Sequence, residues 1–152
     1  MTEATKTMAD RWFAAYSADH QHPLNQRLHT WCVPAIVWSI TALLYVIPAI
    51  VPGLVSWLFA GAALLFWWAT MPMRVAVMVT VFMAAVYGLT LWLNLALGTQ
   101  GLLILAIVVF VIAWIGQFIG HHVEGKRPSF FTDLVYLMIG PPWVLVKLSS
   151  RG

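Results

Sequence analysis

Between Trp31 and Gly120 the chain carries four apolar runs, at 31–51, 54–70, 75–97 and 102–120, joined by links of two to four residues. At roughly 1.5 Å of rise per helical residue, each run suffices to cross about 30 Å of hydrocarbon. Links this short leave consecutive runs only antiparallel contact. The expected fold class is therefore all-α: an integral membrane protein with four transmembrane helices as two antiparallel hairpins, in one domain spanning 1–152. Composition agrees, because 9% of residues are charged where soluble domains carry about 25%. Pro34 and Pro48 fall near the ends of the first run, where they disturb least. Trp31, Trp57, Trp67, Trp68, Trp92 and Trp114 lie near run ends, as in an aromatic belt.

Charge sets the orientation. All eight Lys and Arg lie in the N-terminal segment (Lys6, Arg11, Arg27), the second link (Arg74) or the C-terminal segment (Lys126, Arg127, Lys147, Arg151). With four spans these share one side, and the positive-inside rule makes it cytoplasmic. The cations flank apolar segments rather than lining a polar face, which argues against nucleic acid. No ionisable residue sits deep in a run, which argues against an ion pump. The chain also lacks a Gly-rich phosphate loop, a nucleophile elbow and a Cys-x-x-Cys. Its single cysteine, Cys32, reads as a small apolar residue.

Outside the runs, residues 1–7 are expected to lack regular structure. No apolar h-region precedes a cleavage site, so the first run acts as its own insertion signal. From Met8 the spacing predicts a helix with Met8, Trp12, Ala15 and Tyr16 on one face, lying in the membrane interface or packed on its own domain. Pro23 suits the first turn of a helix that runs on into the first span. The tail over 129–147 is apolar but interrupted by Gly140-Pro141-Pro142. It is expected as two short pieces, interfacial or re-entrant, covering the cytoplasmic mouth; a fifth span is the alternative, disfavoured because it would export Lys147 and Arg151.

An even number of spans returns the chain to its starting side, so His20, His22 and His29 can meet His121 and His122. Imidazole is the commonest metal ligand and suits iron and zinc. Asn25 and His29 are four apart on one helical face, as are Gln117 and His121. Glu124 is three beyond His121, and pairing with Lys126 or Arg127 is its other reading. His22 and His122 each flank a better-placed histidine, so their roles as ligands stay open. Asn94, near the opposite end, reads as a helix-joining hydrogen bonder. Five histidines are too few for the repeated clusters of di-iron hydroxylases, so one metal ion per chain is expected. Two further readings remain. One is a non-enzymatic module that binds lipid or a partner through its polar cap. The other is a zinc-dependent membrane hydrolase with Glu124 as general base.

The polar segments resemble a membrane family of iron(II)-dependent 2-hydroxy fatty acid dioxygenases, which act in fatty acid α-oxidation during phytosphingosine breakdown. Its first motif reads here as Tyr16, His20, Asn25, His29 and Pro34. Its second reads as Gln117, Phe118, Gly120 and His121, followed by Glu124 to Pro128. Ser129-Phe-Phe-Thr-Asp-Leu and Ile139-Gly-Pro141 are similar to bacterial members, which implies a bacterial inner membrane; the charge distribution puts both termini on its cytoplasmic side. The resemblance implies that His20, His29 and His121 are the catalytic set and bind one Fe(II), with O2 as co-substrate and a fatty acid as substrate. Asn25, Gln117 and Glu124 would then support the ligands, and Arg27, Lys126 or Arg127 would hold the substrate carboxylate. Self-association is compatible with the sequence.

Overall fold

The protein is described by a computed structural model over residues 7–125 and 130–150. The described residues form five helices and no strand: α1 (Met8–Asp19), α2 (Pro23–Tyr45), α3 (Leu54–Thr70), α4 (Met73–Val123) and α5 (Phe130–Ser149). α2 and α4 are long and apolar enough to cross a membrane, and α3 is a shorter apolar helix.

α1 begins at a capping box in which Thr7 and Asp10 satisfy each other's groups. Thr7 is thus ordered, and the rest of the 1–7 expectation lies outside the described residues. The packed face of α1 is not the expected one. Ala9 and Tyr16 are buried and Trp12 and Phe13 half-buried, while Met8 and Ala15 are exposed. The i, i+3, i+4, i+7 set starting at Ala9 is the stripe that meets the core.

α2 starts at Pro23, capped by His22, whose Nδ1 accepts from the Leu24 N–H at 3.2 Å. It ends at Tyr45 and not at Val51 as the hydropathy suggests. Ile47 and Val51 precede prolines and so are pushed out of the α region. The chain turns back at Gly53, whose φ is +74°, and a Cβ there would meet the Tyr45 ring at 2.5 Å.

α4 contains one non-helical residue, Gly98 (φ 69°, ψ 170°). This conformation is essentially restricted to glycine. In a straight helix Val86 and Ala106 would stand about 30 Å apart. Instead they share one apolar cluster with Leu102 and with Trp38 and Ala42 of α2, so the two arms of α4 fold back on each other at Gly98. The expected link of 98–101 shrinks to that one residue. Thr99 and Asn94 bond across it, Oγ1 to Oδ1 at 3.3 Å, so Asn94 braces the break.

The tail also departs from expectation. α5 runs unbroken through Pro141 and Pro142. Proline at 142 removes the N–H that would bond the Met138 carbonyl four residues earlier. That carbonyl accepts instead from the Trp67 indole Nε1 at 2.7 Å. Trp67 is therefore buried against α5 and is not part of an aromatic belt. Trp31, Trp57, Trp68 and Trp92 are exposed. α5 packs against α1, α2 and α4.

Candidate metal centre

Three buried imidazoles come from three helices. His20 caps the end of α1, His29 lies near the start of α2, and His121 sits in the last turn of α4. Their ring centroids are 4.2 Å (His20–His29), 5.2 Å (His29–His121) and 5.5 Å (His20–His121) apart. One ring nitrogen from each lies within 4.8 Å of the others.

Helical backbone fixes the tautomers of two of them. His20 Nδ1 is 2.6 Å from the Tyr16 carbonyl and His29 Nδ1 is 3.0 Å from the Asn25 carbonyl, each four residues earlier. A carbonyl only accepts, so both Nδ1 atoms carry the proton. In a neutral ring Nε2 is then a bare lone pair. The two Nε2 atoms face each other at 3.0 Å. Two lone pairs so close repel unless a proton or a cation lies between them. Burial pushes the His20 pKa below its ordinary value and outweighs the opposing pull of the Tyr16 carbonyl, which disfavours the proton. An N–H held on a backbone carbonyl with the other nitrogen free is the usual arrangement of a metal-binding histidine. The residues present fit a metal ion.

The clamp around the histidines is as specific as the histidines. Glu124 accepts from the N–H groups of Gln21 (2.8 Å) and His22 (2.9 Å) and from Asn25 Nδ2 (2.9 Å). Partial desolvation works to raise its pKa, but the bonds from Asn25, His22 and Gln21 prevail and hold the carboxyl below its ordinary value. Glu124 thus ties the end of α4 to the start of α2, which fixes His121 relative to His20 and His29. With both oxygens so engaged, it is poorly placed for the general-base role that a hydrolase would require. Gly120 lets the two helices meet, because a Cβ there would collide with Asn25 Oδ1. Asn25 therefore serves the site twice, through its carbonyl to His29 and its amide to Glu124.

A cavity of about 30 Å³ adjoins the rings, room for a water or an ion. The histidines and Gln117 form its polar wall, and Val33, Ile36, Trp114 and Leu137 an apolar one. Gln117 Oε1 is buried with no hydrogen-bond partner. Other expected site residues stand apart. His22 and His122 are exposed and outside the cluster, one as a helix cap and the other a step around the helix from His121. Arg27 is exposed and absent from the cavity wall, since two positions from His29 is another helical face. Lys126 and Arg127 lie outside the described residues.

The family model described as 2-hydroxy-palmitic acid dioxygenase Mpo1-like matches residues 6–151. The chain belongs to this family. No curated protein and no solved structure matches it. In this Mpo1-like chain the site is closed by α5, in keeping with a tail expected to cover the histidine-bearing mouth, but the residues that do it, Tyr136, Leu137 and Trp143, were not singled out from the sequence. Tyr16 stacks on His20 (4.1 Å between centroids) and meets Tyr136 (5.2 Å) and Trp143 (5.0 Å). Tyr136 donates to Asp19 and Trp143 Nε1 to Ser17 Oγ, both at 2.8 Å, which fastens α5 to α1. The available signal was the spacing of Tyr136 and Trp143, seven residues and so one helical face apart, with Gly140 between them.

Proposed function

We propose that this protein is an Fe(II)-dependent dioxygenase that shortens 2-hydroxy fatty acids by one carbon at the cytoplasmic face of a membrane. The observation that carries the reading is the pair of Nε2 atoms of His20 and His29 facing each other at 3.0 Å beside His121. One Fe(II) per chain would be held by these three residues. Iron held there would supply a Lewis-acidic centre for a 2-hydroxy acid head group and the means to activate O2. The overall balance closes with dioxygen alone: the 2-hydroxy acid and O2 give the acid shorter by one carbon, carbon dioxide and water.

The chain's own residues supply orientation and exclusion of water. The Tyr16 and Asn25 carbonyls hold His20 and His29 in the ligating tautomer. The free Oε1 of Gln117 accepts from the 2-hydroxyl. Val33, Ile36 and Leu137 keep the reacting end dry. Arg27, with Lys126 and Arg127, contributes a positive field that draws the carboxylate toward the mouth.

The membrane placement belongs to the same proposal. α2, α3 and the two arms of α4 serve as four spans in two hairpins, with Arg74 and Lys147 at the histidine end and hence cytoplasmic. A fatty acid would then lie with its head at the level of the histidines. α5 is the element that covers that mouth.

The test is anaerobic purification, metal analysis and an assay with 2-hydroxypalmitate and O2. About one iron per chain and an oxygen-dependent acid one carbon shorter are expected. Unchanged iron and turnover in His29→Ala and His121→Ala would refute the assignment. Stoichiometric zinc without oxygen uptake would favour a hydrolase.

A further inference from the structure

Leu137 of α5 borders two cavities at once. One is the histidine cavity. The other, of about 10 Å³, has a wholly apolar lining that includes Val37, Ala63, Trp67, Met83 and Met138. Along α2 the walls continue on one face, from His29 through Val33, Ile36 and Val37 to Ile40. The eleven steps from His29 to Ile40 rise about 16 Å along the helix. One leaflet offers roughly 15 Å of hydrocarbon, so this face of α2 matches an ordinary acyl chain in length, while a void of about 10 Å³ takes in a tail only as its walls give way. Its bordering side chains are suited to yielding, since Met83 and Met138 are unbranched and adaptable and Ala63 is small.

We propose that the acyl tail of the substrate runs inward from the histidine centre, past Leu137, into this second cavity, and that Leu137 and Ala63 set the chain length accepted. The inference rests on the dioxygenase reading for the identity of the head group. The tail path itself follows from the two cavities and their shared wall. The competing route is outward past Trp114, which borders both the histidine cavity and a lipid-facing groove between Phe110 and Phe118.

The test uses the full chain in nanodiscs and saturated 2-hydroxy acids from laurate to arachidate. Anaerobic equilibrium binding is measured for each acid, and product lengths are measured in air. Ala63→Phe, which fills the far cavity, is expected to weaken binding of the longer acids by about fourfold for each methylene displaced, leaving the shortest unchanged. Ala63→Leu gives a graded version if the larger ring impairs folding. Leu137→Ala is expected to extend the preference toward longer acids. Folded Ala63 variants with a wild-type length profile would overturn the proposal. So would a profile that moves with Trp114→Ala and not with Ala63. Length-dependent binding that shifts as expected in a protein without iron or turnover keeps the tail path and removes the dioxygenase reading. Iron and turnover with an unmoved profile removes the tail path alone.

Discussion

α2 has buried polar groups at both ends, and the two ends treat them differently. In its later half the fully buried hydroxyls of Ser39 and Thr41 are closed by the protein. Ser39 bonds the Ile36 carbonyl at 2.9 Å, Thr41 the Val37 carbonyl at 2.8 Å, and Ser56 reaches across from α3 to the Thr41 carbonyl at 2.9 Å. Tyr87 then donates to Ser56 at 2.7 Å. In its first turns the reverse holds: Nε2 of His20 and of His29 confront each other, and Gln117 Oε1 and Asn25 Oδ1 are buried with no partner. An apolar interior exacts a cost for each open polar group. The later half carries it at a single donor, the Trp38 indole N–H, whereas the first turns gather two facing ring nitrogens and an amide oxygen around one cavity, and that is where a ligand has something to satisfy.

The largest expected effect separates the ends outright. His29→Ala should abolish metal binding and turnover, read by elemental analysis and oxygen uptake, whereas Tyr87→Phe should leave the metal content at the wild-type level. Gly120→Ala comes next. The new methyl strikes Asn25, and overpacking of this kind costs about 1–3 kcal/mol. It should lower the thermal midpoint in detergent and weaken metal binding together.

Acid should act at the histidine end only. His20 in the unfolded chain takes up a proton near pH 6.5, while in the fold burial holds its pKa lower. Between those two values the unfolded state binds more protons, so stability is full above about pH 6.5 and falls as pH drops toward the lowered value. Thermal midpoints of the metal-free protein from pH 8 to 5 should show this fall, and His20→Gln should reduce it. Glu124→Ala removes a carboxylate that caps α2 from another helix, a loss of about 1 kcal/mol by analogy with N-caps. It should reduce metal affinity through His121 without removing a ligand. The smallest effect is Ser56→Ala or Tyr87→Phe, about 0.6 kcal/mol for a helix-joining hydrogen bond in a membrane. A Tyr87→Phe that lost metal would erase the contrast between the ends.

The approach of His20, His29 and His121 was legible because two local periodicities and one global parity carry it. Asn25–His29 and Gln117–His121 repeat at helical spacing, and the charge-free links imply an even return. Hydropathy gave the helices but blurred two boundaries, since Ile47 to Val51 are apolar without being helical and Thr99 to Gly101 are polar or small without leaving the helix. α5 was illegible for a different reason. Gly140-Pro141-Pro142 reads as a breaker until Trp67 is known to be the donor for Met138, and no local window contains both residues. Glu124 was placed in the right neighbourhood, but two of its three partners are backbone N–H groups at 21 and 22, which carry no sequence signature.

The bond from Trp67 to Met138 has a consequence for assembly. The unmatched carbonyl is written into the covalent chain by Pro142 and exists before anything folds, while its donor belongs to α3. α5 leaves the ribosome after α3 and therefore finds its berth already built. A circular permutant that synthesised α5 first would present the same oxygen to hydrocarbon with no indole to receive it.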